Sequence, residues 1–247
     1  LLVVAATFAA LGVYGMSALT VVTDCATDEG VQQVHEIPEA FVGRQIARVC
    51  RDIPPQAVKT GMLHRAAVIA VVAEAAERFA FPAFVVDPVM TTRRGERLLD
   101  DGAEATLVTR LLPLATVVTP SLPEAERLTG HPVRSRAAME RAADAILALG
   151  PRAVVVKGGH LDDDRHAPDL FYDGETQRWL EARRVPRVMH GAGDTFAAAI
   201  TAGLARGLAL LAAVEEAKAY VTGAILHAPA LGHGNGPLAH GWQSREA

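Results

Sequence analysis

The chain has 247 residues, of which 50% are hydrophobic and 21% are charged, and its formal net charge at pH 7 is −4. This composition is enough for one large hydrophobic core, so we expect a single domain over residues 1–247. Lys and Arg are not clustered, which disfavours a nucleic-acid partner, and two cysteines are too few for a disulfide framework and fit a reducing, cytoplasmic compartment.

The chain opens with an apolar run over residues 1–16 that carries no Lys or Arg. This run is shorter than the roughly 20 residues of a membrane-spanning helix, and it lacks the basic start of a secretory signal. We therefore expect no membrane partner. The pattern predicts a buried strand over residues 1–5, followed by a helix that includes residues 7–12.

Short apolar runs then alternate with helical patterns along the chain. Strands are predicted over 17–23, 57–59, 83–86, 115–118 and 153–156, and helices over 39–51, 65–79, 103–112, 136–149, 195–205 and 210–227. Continuous apolar runs are typical of strands buried on both faces of a sheet. Asp173 and Gly174 separate two strand-like runs and predict a hairpin. The predicted fold class is α/β, a doubly wound and mostly parallel sheet with helices on both faces.

Polar or glycine residues follow four of the predicted strands. They are Lys59-Thr60-Gly61, Asp87-Pro88, Thr119-Pro120-Ser121 and Lys157-Gly158-Gly159. Ligands of such sheets bind beyond the carboxyl ends of the strands. Any one of these segments alone is typical of a solvated loop, but four of them at one edge favour a ligand site.

The segment HGAGDTF, residues 190–196, runs directly into a predicted helix. Its two glycines allow a ligand to approach the backbone, and amide groups in front of a helix N-terminus bind anions. Asp194 stands at the mouth of that site, where a carboxylate repels phosphate unless it accepts a proton from an attacking hydroxyl. The segment favours phosphoryl transfer to an alcohol. A glycine turn capped by an aspartate is the simpler alternative.

The ordered motifs KTGML (59–63), VDPVM (86–90), TPSLPEAE (119–126), VKGGH (156–160), HGAGDTF (190–196) and LGHGNGP (231–237) cover nearly the whole chain. Together they resemble the hydroxymethylpyrimidine/phosphomethylpyrimidine kinases of thiamin biosynthesis, which belong to the ribokinase-like superfamily. VKGGH and GHGNGP are specific to that branch. The resemblance implies phosphorylation of 4-amino-5-hydroxymethyl-2-methylpyrimidine and then of its monophosphate, with ATP and Mg²⁺ as cofactors and a homodimer as the assembly.

The resemblance also implies a role for individual residues. The transferring phosphoryl group would meet an anion hole and a base, formed by Gly191, Ala192, Gly193 and Asp194. The nucleotide would be held by Lys157, Thr119 and Ser121. The Mg²⁺ ion would be held by Asp87 and Glu124. The pyrimidine would be lined by Cys25, Gly61, Met62 and Val89. By its chemistry alone Met62 is more typical of core filler.

Three positions depart from the family pattern. Pyrimidine kinases of this branch commonly have Cys where this chain has Asp194, whereas Asp is usual in ribokinases and many pyridoxal kinases. Cys25 stands where an amide or acid side chain is expected to read the pyrimidine edge, and Asp24 is the alternative for that contact. Ser121 replaces an expected Asn, and its hydroxyl can still hold a metal-bound water.

Two loops of the family pattern are short or missing in this chain. The glycine-rich loop that should separate the first strand from the first helix is not found, and the stretch before HGAGDTF is a few residues short. Loops that close over substrate are often mobile. We therefore expect a spatial gap between Ala5 and Ala6, and another near Met189.

Three functions remain open at this point. The motifs favour a pyrimidine kinase over the other two. A pyridoxal-type kinase on the same scaffold is favoured by Asp194 and Cys25 but disfavoured by VKGGH and GHGNGP. A sensor that binds a pyrimidine or nucleotide without catalysis is disfavoured by the set Asp194, Lys157 and Asp87, because a binding protein needs no base aimed at an anion site.

Overall fold

A computed structural model of the chain describes residues 1–26, 30–92, 97–159, 161, 165–185 and 189–245. Its α-helices are α1 (Leu2–Ala10), α2 (Glu39–Asp52), α3 (Ala66–Phe79), α4 (Ala103–Thr106), α5 (Leu122–Thr129), α6 (Arg136–Leu147), α7 (Ala192–Ala205) and α8 (Leu210–Leu226). Its strands are β1 (Val21–Ala26), β2 (Gly30–Glu36), β3 (Val58–Thr60), β4 (Phe84–Val86), β5 (Val117–Val118), β6 (Val154–Lys157), β7 (Asp169–Tyr172) and β8 (Gln177–Leu180). No helix in these ranges is both long and apolar enough to cross a membrane.

The central sheet has six strands in the order β3-β4-β5-β6-β7-β8. The first four are parallel, and β7 and β8 form an antiparallel hairpin at the edge. That hairpin confirms the prediction from Asp173 and Gly174, because Asp173 Oδ1 accepts hydrogen bonds from the amides of Glu175 and Thr176 and closes the turn. Because β3, β4, β5 and β6 run in the same direction, their carboxyl ends lie along one edge of the sheet.

Each face of the sheet carries its own hydrophobic core. Val85 and Val155 pack in a cluster with residues of α1, α7 and α8. Their chain neighbours Val86 and Val154 face the other way, toward α3 and α6 respectively. Successive side chains of a strand point to opposite faces, so a strand buried on both faces is apolar throughout. The predicted class is confirmed, with a mostly parallel α/β sheet between two helical layers.

The strand predicted over residues 1–5 is wrong, since these residues belong to a helix. Helix α1 runs unbroken through Ala5 and Ala6, and the amide of Ala5 donates to the carbonyl of Leu1 at 3.0 Å. The expected gap between Ala5 and Ala6 is therefore wrong as well. A short apolar run does not distinguish strand from helix, and the alanines of this run favour helix. The gap expected near Met189 adjoins 186–188, which lie outside the described residues.

The strand predicted over 17–23 is also misplaced. Strand β1 begins at Val21 and pairs with β2 in a separate two-stranded antiparallel sheet, not in the central one. Val22 is exposed, so this segment is not buried on both faces as a strand of the central sheet would be. Strand β2 itself was not predicted, because its sequence is mostly polar.

Two helical segments differ from the prediction in their extent. The helix predicted over 103–112 is α-helical only to Thr106, and it continues as a π-helix over Leu107–Leu111 and a 3-10 turn over Leu112–Leu114. Helix α5 was not predicted, although Ser121 and Glu124 form a capping box at its start. The spacing S-x-x-E is the sequence signal for that cap, and it went unused.

Candidate active site

The HGAGDTF segment forms the start of α7. Gly191 caps the helix with a φ of +82°, a conformation that glycine adopts without strain. The first helical hydrogen bond runs from the amide of Thr195 to the carbonyl of Gly191 at 2.9 Å. The amides of Ala192, Gly193 and Asp194 lie inside that first turn, where helix geometry provides no acceptor for them. Such amides, together with the positive end of the helix dipole, are suited to binding an anion, as the sequence predicts for this segment.

Asp194 is held at this site by a buried lysine of the sheet. Lys59 lies on β3, and its Nζ is 3.2 Å from Asp194 Oδ1. The side chain of Lys59 is 6% exposed, whereas that of Asp194 is 43% exposed. Among the described residues, Asp194 Oδ2 has no hydrogen-bond partner. The carboxylate is thus anchored through one oxygen and open to a ligand through the other.

The surroundings of Asp194 keep it ionised. Burial by itself would raise the pKa of this carboxyl, but the charge and hydrogen bond of Lys59, and then the charge of Lys157, hold the pKa below its ordinary value. Such a carboxylate is a weak base. It is suited to a reaction in which the hydroxyl proton leaves late, once the bond to phosphorus is forming.

A second cation lies beside the same helix N-terminus. Lys157 ends β6, and a Cβ added to Gly193 would lie 3.2 Å from its Nζ. The Nζ of Lys157 is 2.9 Å from Asp87 Oδ1, which also accepts the Thr119 hydroxyl at 3.0 Å. Burial would lower the pKa of Lys157, but the charges of Asp87 and Glu124 raise it above its ordinary value. The anion site therefore has a permanent positive charge at its rim.

Glu124 completes this cluster from the start of α5. Its Oε2 accepts both the amide and the hydroxyl of Ser121, each at 2.7 Å. Burial raises the pKa of Glu124, and the charge of Asp87 adds to that, while the charge of Lys157 and the bonds from Ser121 act against it. The Ser121 hydroxyl, assigned to the cofactor by resemblance, is thus also a helix cap.

The described residues contain no group of three or more His, Cys, Asp or Glu side chains that could hold a metal by themselves. Mg²⁺ is commonly bound by one or two carboxylates together with substrate phosphates and water. Asp87 fits that habit, because its Oδ2 has no partner within the described ranges. Glu124 lies close enough for its charge to interact with that of Asp87.

The positions assigned to the pyrimidine lie partly at this centre. A Cβ added to Gly61 would lie 3.6 Å from both Asp194 Oδ1 and Lys59 Nζ, so this glycine borders the ion pair. Met62 follows it and is half-buried rather than core. Val89 is also half-buried, and its amide donates to the carbonyl of Asp87 at 2.9 Å. Gly61 therefore adjoins the Lys59–Asp194 pair and Val89 adjoins Asp87, whereas Met62 is placed near them only as the chain neighbour of Gly61.

The fourth position, Cys25, belongs to β1, and its side chain lies outside the described residues. A register shift separates Asp24 from Cys25 in the pairing of β1 with β2. The Asp24 carboxylate accepts the amides of Gln32 and Gln33 across this irregularity. Asp24, the alternative for the pyrimidine contact, is therefore engaged by the backbone of its own hairpin.

Sequence reasoning missed a second buried ion pair that supports the site. Lys218 of α8 donates to Asp169 Oδ2 at 2.8 Å and to the carbonyl of Ala167 at 2.6 Å. Asp169 Oδ1 accepts the amide of Gly158 at 2.9 Å, and Gly158 directly follows Lys157. A lone lysine in an apolar helix was the available signal. Lys59 was noticed as a strand-end residue, but its role could not be assigned.

An open groove of about 640 Å³ lies between β8 and α8. Lys218, Thr222, His227 and Trp242 are among the residues that line it. The Trp242 and His227 rings are stacked with their centroids 5.2 Å apart. Lys218 links this groove through Asp169 to the amide of Gly158, the residue that follows Lys157.

Comparison with known proteins now places the chain. A family model described as phosphomethylpyrimidine kinase matches residues 5–239. The chain belongs to this family. The hydroxymethylpyrimidine/phosphomethylpyrimidine kinase of Streptomyces coelicolor is 48% identical over 237 residues, which are 96% of this chain and 87% of that protein. The protein is therefore a kinase of the ribokinase-like fold, which confirms the family, fold and enzyme class inferred from the motifs.

Two further similarities bear on pathway and ligands. The thiamine biosynthesis bifunctional protein ThiED of Geobacter sulfurreducens is 44% identical over 231 residues, which are 93% of this chain and 47% of that longer protein. The pyridoxal kinase of Staphylococcus aureus, solved in complex with AMP-PCP and pyridoxal, superposes with a TM-score of 0.90 at 38% identity, covering 98% of this chain and 88% of that one.

Proposed function

We propose that this kinase transfers the γ-phosphoryl group of ATP to the hydroxymethyl group of 4-amino-5-hydroxymethyl-2-methylpyrimidine, and then to the resulting monophosphate, in thiamin biosynthesis. The family and the named relatives support the reaction class and the pathway. The observation that carries the proposal is the placement of Asp194 in the first turn of α7, where Lys59 holds its Oδ1 and its Oδ2 has no hydrogen-bond partner among the described residues.

In this reaction Asp194 accepts the proton of the substrate hydroxyl as its oxygen bonds to phosphorus. The amides of Ala192, Gly193 and Asp194 stabilise the charge on the transferring group. Lys157 neutralises charge on the nucleotide phosphates, and its contact with Asp87 fixes its position at the strand end. A loose phosphoryl-transfer transition state requires mainly such positioning and charge neutralisation.

Asp87 and Glu124 are the residues that would hold Mg²⁺, through direct contact or through its waters. The ion, when bound, would neutralise charge on the nucleotide phosphates. Thr119 and Ser121 orient these two carboxylates through their hydroxyl groups. The AMP-PCP complex of the similar pyridoxal kinase supports ATP as the donor, and the groove between β8 and α8 is the cavity that we assign to the rest of the nucleotide.

Gly61, Met62 and Val89 are the residues proposed to contact the pyrimidine ring, with Cys25 on the hairpin of β1 and β2. The absence of a side chain at Gly61 leaves space directly beside the Lys59–Asp194 pair. An acceptor ring placed there would bring its hydroxymethyl oxygen to Asp194. The resemblance further implies a homodimer in the cytoplasm, and light scattering after size-exclusion chromatography would test the assembly.

A pyridoxal-type kinase is the second candidate. Its support is the Asp at position 194, where the pyrimidine branch commonly has Cys, and the likeness to the pyridoxal kinase structure at a TM-score of 0.90. The donor and catalytic segment would be the same in both cases. Only the acceptor ring would differ.

The test is an ADP-release assay on the purified chain with ATP and Mg²⁺. The aminopyrimidine alcohol, its monophosphate and pyridoxal are supplied as separate acceptors. We expect kcat/KM to be highest for the pyrimidine acceptors, with product identity confirmed by mass spectrometry. Higher kcat/KM for pyridoxal would replace the proposal by the second candidate. No acceptor-dependent ADP release from folded protein would refute both.

A further inference from the structure

The two acceptors in the proposed function make opposite demands on one site, and the following inference rests on that function. The alcohol is uncharged and must lose a proton as it is phosphorylated. The monophosphate has a second pKa of about 6, so near pH 8 it is a dianion that has no proton to lose. A carboxylate that serves the first acceptor as a base repels the second.

The arrangement of Asp194 makes this conflict concrete. Its Oδ1 would lie 3.6 Å from a Cβ added to Gly61, so the negative charge of this carboxylate borders the space where an acceptor oxygen would sit. Lys157 cannot fully offset that charge, because it is bonded to Asp87 and also interacts with Glu124. Lys59, in contrast, has Asp194 as its hydrogen-bond partner among the described residues.

We propose that Lys59 offsets the charge of Asp194 so that one site accepts both an alcohol and a phosphate, whereas Asp194 is needed as a base only for the alcohol. Lys59 lies on β3 with its side chain 6% exposed, so its charge is little screened by water. Its Nζ would also lie 3.6 Å from a Cβ added to Gly61, and therefore borders the same space as the acceptor.

The two transfers then differ in one step. With the alcohol, the hydroxyl oxygen forms a bond to the γ-phosphorus of ATP, the bond from that phosphorus to ADP breaks, and the hydroxyl proton passes to Asp194. With the monophosphate dianion, a phosphate oxygen forms the bond to the γ-phosphorus and ADP leaves in the same way, but no proton is transferred. The base is idle in the second transfer, and only its charge matters.

The experiment compares the two acceptors in the same preparation of each variant, at pH 8 and saturating ATP and Mg²⁺. For Asp194→Asn we expect kcat/KM for the alcohol to fall by about 10²- to 10⁴-fold, the usual contribution of a general base. The value for the monophosphate should not fall, because that transfer uses no base and a like charge that repels the phosphate is removed. For Lys59→Met we expect the opposite selectivity, with the monophosphate losing roughly tenfold more than the alcohol, since an uncompensated like charge then faces it.

Two further variants serve as controls. Lys59→Arg keeps the charge and should keep the ratio of the two kcat/KM values within about threefold of wild type. Lys218→Met removes a buried lysine that is bonded to Asp169, away from the acceptor, and should lower both rates by the same factor. Because the measured quantity is a ratio within one sample, a partly unfolded preparation changes both rates alike.

Equal loss of both activities in Asp194→Asn and in Lys59→Met would overturn the inference. So would a wild-type protein that phosphorylates the alcohol but not the monophosphate, although that result would leave the first half of the proposed function intact. A wild-type protein that phosphorylates neither pyrimidine refutes the proposed function itself. If Lys59→Met yields no folded protein, the ratio in Asp194→Asn decides, because Asp194 is far more exposed than Lys59.

Discussion

Two of the lysine–aspartate pairs in the described part of the chain, Lys218–Asp169 and Lys59–Asp194, differ in what the second carboxylate oxygen does. In the pair Lys218–Asp169 both oxygens are used, one by the lysine at 2.8 Å and one by the amide of Gly158 at 2.9 Å. In the pair Lys59–Asp194 one oxygen is used, and the other has no partner in the part of the chain that the structure describes.

Exposure separates the pairs in the same way. Asp169 is 8% exposed beside Lys218, whereas Asp194 is 43% exposed beside Lys59. A buried polar group without a partner is costly, so a saturated pair is what stability requires. A half-used carboxylate at a helix N-terminus is what a reacting group requires. The comparison supports the proposal that Lys218–Asp169 holds the strand end and that Lys59–Asp194 takes part in the chemistry.

Removing one lysine at a time gives the largest expected contrast in stability. Lys218→Met leaves the Asp169 carboxylate buried without its counter-charge, which typically costs about 3–5 kcal/mol. Lys59→Met should cost about 1 kcal/mol or less, because water can reach its exposed partner. Urea unfolding of both variants measures the difference in free energy of unfolding.

A double variant sharpens that result. Adding Asp169→Leu to Lys218→Met removes the stranded charge and should recover part of the loss, leaving the amide of Gly158 without its acceptor, a cost of about 1–3 kcal/mol. Equal destabilisation by Lys59→Met and Lys218→Met would contradict the distinction between the pairs.

The sequence carried enough information for the layout of the site but not for its pairing. Lys59, Asp87, Thr119 and Lys157 all stand at ends of apolar runs, and parallel strands necessarily bring such ends to one edge. Which of them pair depends on strand order and side-chain reach, neither of which is written in the local sequence. The sequence therefore places Lys59 at the site without indicating its partner, and the Lys218–Asp169 pair cannot be predicted from it.

The N-terminal segment shows a different limit. The first ten residues are rich in Leu, Val and Ala, and such a run suits either a buried strand or a helix. Tertiary packing decides between strand and helix here. Helix α1 packs on the start of α7, and Val3 lies 3.0 Å from the position of a Cβ added to Gly191. The incorrect strand also produced the incorrect expectation of a missing loop after Ala5.

Gly158 lies beside the Lys218–Asp169 pair and Gly61 beside the Lys59–Asp194 pair, and replacing each by alanine should have different effects of intermediate size on stability and activity. A Cβ on Gly158 would lie 1.9 Å from the backbone oxygen of Pro168, so Gly158→Ala should destabilise the fold by at least about 1–3 kcal/mol. A Cβ on Gly61 would meet Asp194 and Lys59 only at 3.6 Å, an ordinary contact. Gly61→Ala should therefore fold normally but raise the KM for the acceptor several-fold. Thermal melts and steady-state kinetics of both variants check this, and a normal KM in Gly61→Ala would show that the acceptor sits elsewhere.

The pH dependence of alcohol phosphorylation gives the smallest effect and the most specific one. In the wild type the pKa of Asp194 is held below its ordinary value. The carboxylate charge, and the stability that it contributes, are therefore fully present above the pKa of the unfolded chain, about 3.9. Both are lost only as the pH falls through the lower pKa of the folded protein. Loss of the base should therefore not limit the rate between about pH 5 and 8. In Lys59→Met the charge and the hydrogen bond that do most to lower the pKa of Asp194 are removed, so the acidic limb of kcat/KM for the alcohol should move to higher pH. Lys218→Met is the matched control, because its profile should keep the wild-type shape at whatever rate it retains. Superimposable profiles for the wild type and Lys59→Met would mean that Lys59 does not set the ionisation of Asp194.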